Sequence, residues 1–81
     1  MKINDKYYIE KKEFVAKLSD ALNAAKPHLT CEFKLGEEIG KIQGIEYVVI
    51  TARNGYQYFV NVTADSLALI GEEVFKTMMG K

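Results

Sequence analysis

The sequence predicts a small two-layer α+β domain in the order (β)-α-β-β-β-α, with an antiparallel sheet and two helices on one of its faces. Three observations predict it. Apolar side chains recur at three- and four-residue steps in two segments, residues 11–25 and 67–78, as in helices buried along one stripe. Residues 30–35 alternate between apolar and polar, as a half-buried strand does. Between these, Asn54-Gly55 joins two runs rich in β-branched and aromatic residues, the strongest short-range signal for a β-hairpin. The 81 residues make a single domain, 1–81, of modest expected stability, because a chain this short buries only roughly 60–65% of its unfolded surface.

Lys6-Tyr7-Tyr8-Ile9 reads as a short edge strand. Lys11 to Ala25 follows as a helix whose stripe is Phe14, Leu18, Ala21, Leu22 and Ala25, with Val15 on its flank and Ser19 and Asn23 pointing away. Pro27 stops this helix, since the residue before a proline is driven out of the helical region. In the strand from Thr30 to Leu35, Cys31, Phe33 and Leu35 share the buried side. Gly36 to Gly44 is a glycine-rich loop with Ile39 and Ile42 as anchors. The hairpin runs from Ile45 to Val62. A two-residue type I′ turn, with positive φ at both central residues, would set Arg53 opposite Tyr56, Ile50 opposite Phe59 and Val48 opposite Asn61. Thr63 is placed to cap the last helix, with Asp65 in its first turn. The stripe of that helix is Leu67, Ile70, Val74 and Met78, with Phe75 at its border. Gly71 within the stripe marks a close crossing, because a mid-helix glycine otherwise costs about 1 kcal/mol relative to alanine.

Composition excludes several function classes. Residues 1–40 hold seven Lys against seven acidic residues, and 41–81 hold four basic against four acidic, so no segment carries the basic excess of a typical nucleic-acid binder. The acidic excess of a DNA mimic is equally absent. A single cysteine rules out an internal disulfide and a cysteine-rich metal site. No apolar run approaches the roughly 20 residues that span a bilayer, and Met1-Lys2-Ile3-Asn4-Asp5 leads into no signal-peptide core. A cytoplasmic, soluble protein without cofactor, metal or membrane partner is the expectation.

Catalytic constellations are thin. His28 is the only histidine and follows Pro27 in a turn, with no Cys, Ser or Asp at a recognisable spacing. Cys31 alternates with Phe33 and Leu35 as a small core residue does. Glu37-Glu38 and Glu72-Glu73 are paired in sequence only, and Gly36, Gly40 and Gly44 lack the lysine and hydroxyl that end a phosphate-binding loop. No catalytic, cofactor-binding or metal-binding residue is therefore assigned, and the chain is read as non-enzymatic.

The helix, three-strand, helix order resembles the double-stranded RNA-binding domain in topology. That family places lysines at the start of its second helix, where this chain has Ala64-Asp65-Ser66-Leu67-Ala68-Leu69, so phosphate binding does not carry over. Asn54-Gly55-Tyr56 followed by Val60-Asn61-Val62-Thr63-Ala64-Asp65-Ser66 resembles the hairpin-to-helix end of small proteins of phages and mobile elements of Gram-positive bacteria. The resemblance covers the C-terminal third. Some proteins of that kind are anti-CRISPR inhibitors, so it implies a phage-type effector acting stoichiometrically on a host protein.

The remaining candidate site is a surface. With Tyr47, Val49, Tyr58, Val60 and Val62 assigned to the core, Val48, Ile50 and Phe59 are left on the outer face, ringed by polar residues that include Gln57 and Asn61. An apolar centre with a polar rim is the anatomy of a protein interface. Val48, Ile50, Phe59, Gln57 and Asn61 are thus the expected contact residues for a foreign protein or a second copy, unless residues 1–10 or 36–44 cover them. The alternatives are a nucleic-acid-binding module using Lys2, Lys6, Lys11, Lys12, Lys17 and Arg53, and a homodimeric structural protein.

Overall fold

The computed structural model describes residues 5–79. Helix α1 (Lys6–Ala25) is followed by β1 (Thr30–Leu35), a 3-10 turn (Gly36–Ile39), β2 (Glu46–Thr51), β3 (Gln57–Asn61) and α2 (Leu67–Met79). The sheet is antiparallel in the order β1-β2-β3, with both helices on one face and a single core between the layers. The expected α+β architecture is therefore the observed one, and among the described residues no strand precedes α1.

Lys6-Tyr7-Tyr8-Ile9 is the first turn of α1 instead of an edge strand. The Asp5 side chain accepts a hydrogen bond from the Tyr7 amide at 2.7 Å, which caps the helix five residues earlier than expected. Tyr8 then falls seven residues before Val15, two turns along the same face, and both are buried. This turns the helix about its axis. Val15, expected on the flank, is at the centre of the buried stripe, while Ala21 and Ala25 are exposed and Phe14, Leu18 and Leu22 are half-buried. Ser19 and Asn23 do not face away. Ser19 Oγ accepts the Cys31 amide at 2.8 Å and Asn23 Nδ2 donates to the Leu29 carbonyl at 3.1 Å, so α1 is pinned to the start of β1.

The hairpin register differs by one residue from the expected one. Ala52 donates to the Tyr56 carbonyl at 2.8 Å and accepts from Gly55 at 2.9 Å, which closes a three-residue loop of Arg53, Asn54 and Gly55. Only Gly55 in this loop has positive φ (86°), and Asn54 uses its side chain to accept the Tyr56 amide, so the type I′ turn does not form. The pairs are Thr51 with Gln57, Ile50 with Tyr58, Val49 with Phe59 and Val48 with Val60. A one-residue shift moves every side chain of one strand to the opposite face. Val48 and Ile50 accordingly lie in the core, opposite Phe33 and Cys31, and have no exposed surface.

Glu46 continues that inner row and is also buried, at 7% exposure. Its carboxylate Oε1 accepts from the Lys11 ammonium at 2.8 Å and from the Ala64 amide at 3.2 Å. Its amide donates to Thr63 Oγ1 at 3.0 Å, and its carbonyl accepts the Val62 amide at 2.8 Å. Thr63 is thereby engaged with β2 and is not the cap of α2. That role falls to Ser66, whose Oγ accepts the Leu69 amide at 3.3 Å, leaving Asp65 ahead of the helix. In α2, Ile70, Val74 and Met78 are buried and Leu67 is half-buried, as the periodicity predicts, while Phe75 is exposed. Gly71 does face α1, but a β-carbon there would meet the Phe14 ring at 3.4 Å, an ordinary contact. The tight position is Gly36, where a β-carbon would overlap the Ile42 carbonyl.

Three substitutions test this packing. Glu46→Ala strands the Lys11 ammonium and the Ala64 amide, and should cost roughly 3–5 kcal/mol. Breaking the exposed Lys76–Glu72 pair by Lys76→Ala should cost at most about 1 kcal/mol, and urea melts of the two variants compare them. Gly36→Ala should lower stability by about 1–3 kcal/mol or more through the clash with Ile42, read in the same melts.

Candidate functional site

The outer face of the sheet, away from both helices, is a grid set by strand pairing. Its three rows are Thr30–Thr51–Gln57, Glu32–Val49–Phe59 and Lys34–Tyr47–Asn61. The apolar members are central: Val49 in the middle, Phe59 beside it and Tyr47 diagonal to Phe59, with ring centroids 6.4 Å apart at 87°. Edge-to-face packing of this kind suits the ring quadrupoles. The rim is polar and locally neutral, since Lys34 pairs with Glu32 at 3.2 Å.

Part of the loop after β1 closes over this face. Ile39 lines, with Val49, Phe59 and Thr51, a shallow pocket of about 260 Å³. Lys41 holds its ammonium 4.4 Å from the Phe59 ring centroid and 5.9 Å from that of Tyr47, a cation–π arrangement. Val49 is reduced to 9% exposure, whereas Phe59 retains 42%. Ile42, expected as the second anchor, is instead 70% exposed. The loop from Gly36 to Gly44 therefore covers the middle of the face and leaves the β3 side open.

Of the five residues expected at an interface, Phe59, Gln57 and Asn61 are on this exposed face and Val48 and Ile50 are not. Their places are taken by Val49 and Tyr47, which the one-residue shift brings outward. Asn61 is partly engaged: its Oδ1 accepts from the Thr63 amide at 3.0 Å and hydroxyl at 2.6 Å. Ile39 is one of the two anchors the loop is expected to supply, whereas Lys41 carries no such signal, because a loop of three glycines has no periodicity to show which side chains reach the sheet.

The lysines of the nucleic-acid alternative do not gather. Lys11 is half-buried and paired with Glu46, Lys12 lies over the Tyr8 ring at 5.6 Å, and Lys6 and Lys17 are exposed elsewhere on α1. Arg53 is at the hairpin tip, and Lys2 lies outside the described residues. His28 is exposed in its turn with φ 73°. Among the described residues no group of three or more His, Cys, Asp or Glu side chains is placed to hold a metal ion, and no helix is long and apolar enough to cross a membrane. No family model matches the chain, and no curated protein or solved structure is found similar to it.

Two buried protons set the alkaline behaviour. Burial pushes the Cys31 thiol from 9.0 up to about 11, so it is a protonated core group rather than a nucleophile. The Tyr8 hydroxyl is also raised above its ordinary 10.0, by burial first and then by donating to Glu38 Oε1 at 2.8 Å beside that negative charge, with Lys34 opposing. Each group holds its proton to higher pH in the folded state than in the unfolded chain. The stability this confers is complete below about pH 9 and is lost as pH rises towards 11. The urea midpoint should be level from pH 7 to 9 on this account and fall between 9 and 11. Cys31→Ala should shallow that fall, and an unchanged slope would show that burial does not raise the thiol above its unfolded value.

Proposed function

We propose that this chain is a non-enzymatic protein-binding module that engages its partner through the β3 side of the outer sheet face. The observation that carries the reading is Phe59. A large aromatic side chain stands 42% exposed beside Val49 and Tyr47, within a rim of Gln57, Asn61, Thr51 and Glu32, with no helix above it. Aromatic residues at the centre of a patch contribute most to protein association, and a neutral polar rim satisfies the surroundings without selecting a charged polymer. The even charge balance supports a protein partner over nucleic acid. A small cytoplasmic effector of phage type, acting stoichiometrically on a host protein, fits this reading and the resemblance of the hairpin-to-helix segment.

Phe59→Asp tests it against Ile50→Asp. The first substitution lies on an exposed ring and should leave the circular dichroism and Tm nearly unchanged. The second buries a charge in the core and should unfold the domain. With the tagged full chain as bait, the partner retained by the wild type should be lost by at least tenfold in Phe59→Asp. Retention by this folded variant would place the binding surface elsewhere.

A further inference from the structure

We infer that the open edge of β3 pairs antiparallel with the β3 edge of a second copy of this chain, about a two-fold axis at Phe59. The inference rests on the reading of the β3 side as a binding surface and names its occupant. The backbone decides which residues face outward. Ala52 pairs with Tyr56 by hydrogen bonds and Val62 donates to Glu46, so in an antiparallel ladder the even-numbered residues of β3 turn their amides and carbonyls toward β2. Gln57, Phe59 and Asn61 then present theirs at the free edge. Among the described residues none makes a backbone hydrogen bond outside the ladder.

The two edges of the sheet are unlike. At β1 the outward amide of Cys31 is already bonded to Ser19 of α1, and the strand carries Glu32 and Lys34. Charges and covering elements of this kind keep an edge from recruiting a further strand. Strand β3 reads Gln57-Tyr58-Phe59-Val60-Asn61, with no charge and no proline, and is rich in residues that favour sheets. An edge left so unguarded in a folded chain is a template for another strand.

The same strand is complementary to itself. With Phe59 opposite Phe59 of the second copy, Gln57 falls opposite Asn61 and Tyr58 opposite Val60. The three outward-facing residues of each copy then meet as hydrogen-bonded pairs, which is the condition an antiparallel two-fold must satisfy. Amide side chains meet amides, the two rings meet on the outer face, and no residue of the two paired strands is charged. Two sheets of three strands become one of six, and the Val49–Phe59 row continues across the axis into its counterpart.

Sedimentation of the full chain across the micromolar range should show the mass rising from 9.2 kDa towards twice that value. Gln57→Pro removes one outward amide without altering either core face, a change an edge strand tolerates, and should hold the folded protein monomeric. Two cysteine variants fix the register under a thiol oxidant, since buried Cys31 does not compete. Phe59→Cys should cross-link copies efficiently and Gln57→Cys should not, because position 57 meets 61 across the axis. A wild type that stays monomeric overturns the inference, as do equal cross-linking at 57 and 59 or a Gln57→Pro variant that folds and dimerises. A monomeric wild type whose foreign partner is lost in Phe59→Asp would overturn this pairing alone. A dimer through this edge with no foreign partner would leave it standing without the effector role.

Discussion

Glu46 sits where three parts of the chain meet. Its carboxylate receives the Lys11 ammonium from α1 and the Ala64 amide from the connection to α2, while its own backbone joins β2 to residues 62 and 63. Ala64 holds φ at 62°, a conformation that costs an ordinary residue roughly 1–2 kcal/mol, and the hydrogen bond from its amide to Glu46 is what keeps it there. A buried charge is tolerated only when it is paired and its remaining lone pairs are used. Here that requirement fixes where α1 lies along the sheet and where α2 begins. A buried carboxylate also specifies the register of β2, because shifting the strand by one residue would carry Glu46 to the outer face, away from the half-buried Lys11 and the Ala64 amide.

The register in turn divides the hairpin between stability and surface. Val48 and Ile50 join Phe33, Cys31 and Val60 under the helices, and Val49, Tyr47 and Phe59 are turned outward. The outer face is not left bare. Ile39 comes down from the loop that begins at Gly36 and lines the face beside Val49 and Phe59, and Lys41 sets its ammonium over the Phe59 ring, which still keeps 42% of its surface exposed against 9% for Val49. The exposed aromatic ring, the free edge of β3 and the neutral rim therefore coincide on one side of the molecule. That coincidence, and no cluster of titratable groups, is the chemical character of the surface.

Legibility of the fold in the sequence varied by element. The strand from Thr30 to Leu35 and the stripe of Ile70, Val74 and Met78 have clear periods and were read correctly. The start of α1 was not, because Lys6-Tyr7-Tyr8-Ile9 combines residues that favour strands, and a single cap at Asp5 outweighed them. The hairpin was recognised but its loop length was not. Asn54-Gly55 serves a two-residue turn and a three-residue turn ending in a left-handed glycine equally well, and both strand faces are apolar enough to be buried. Of the expected interface, Phe59, Gln57 and Asn61 stayed outside because β3 kept its predicted facing, and Val48 and Ile50 did not because β2 reversed.

The sequence by itself determined the number, kind and order of the main elements, the core role of Cys31, and an even balance of charge. These follow from local periodicity and composition, which each segment carries alone. The tertiary structure decided which face of β2 is buried, which lysine pairs with the buried Glu46, and which loop residues lie on the open sheet. Each of those depends on partners distant in the chain: Lys11 reaches Glu46, Ser66 rather than Thr63 opens α2, and Lys41 finds the Phe59 ring. A pairing between distant residues has no period to be read. It is set only when burial forces every polar group to find a partner at once.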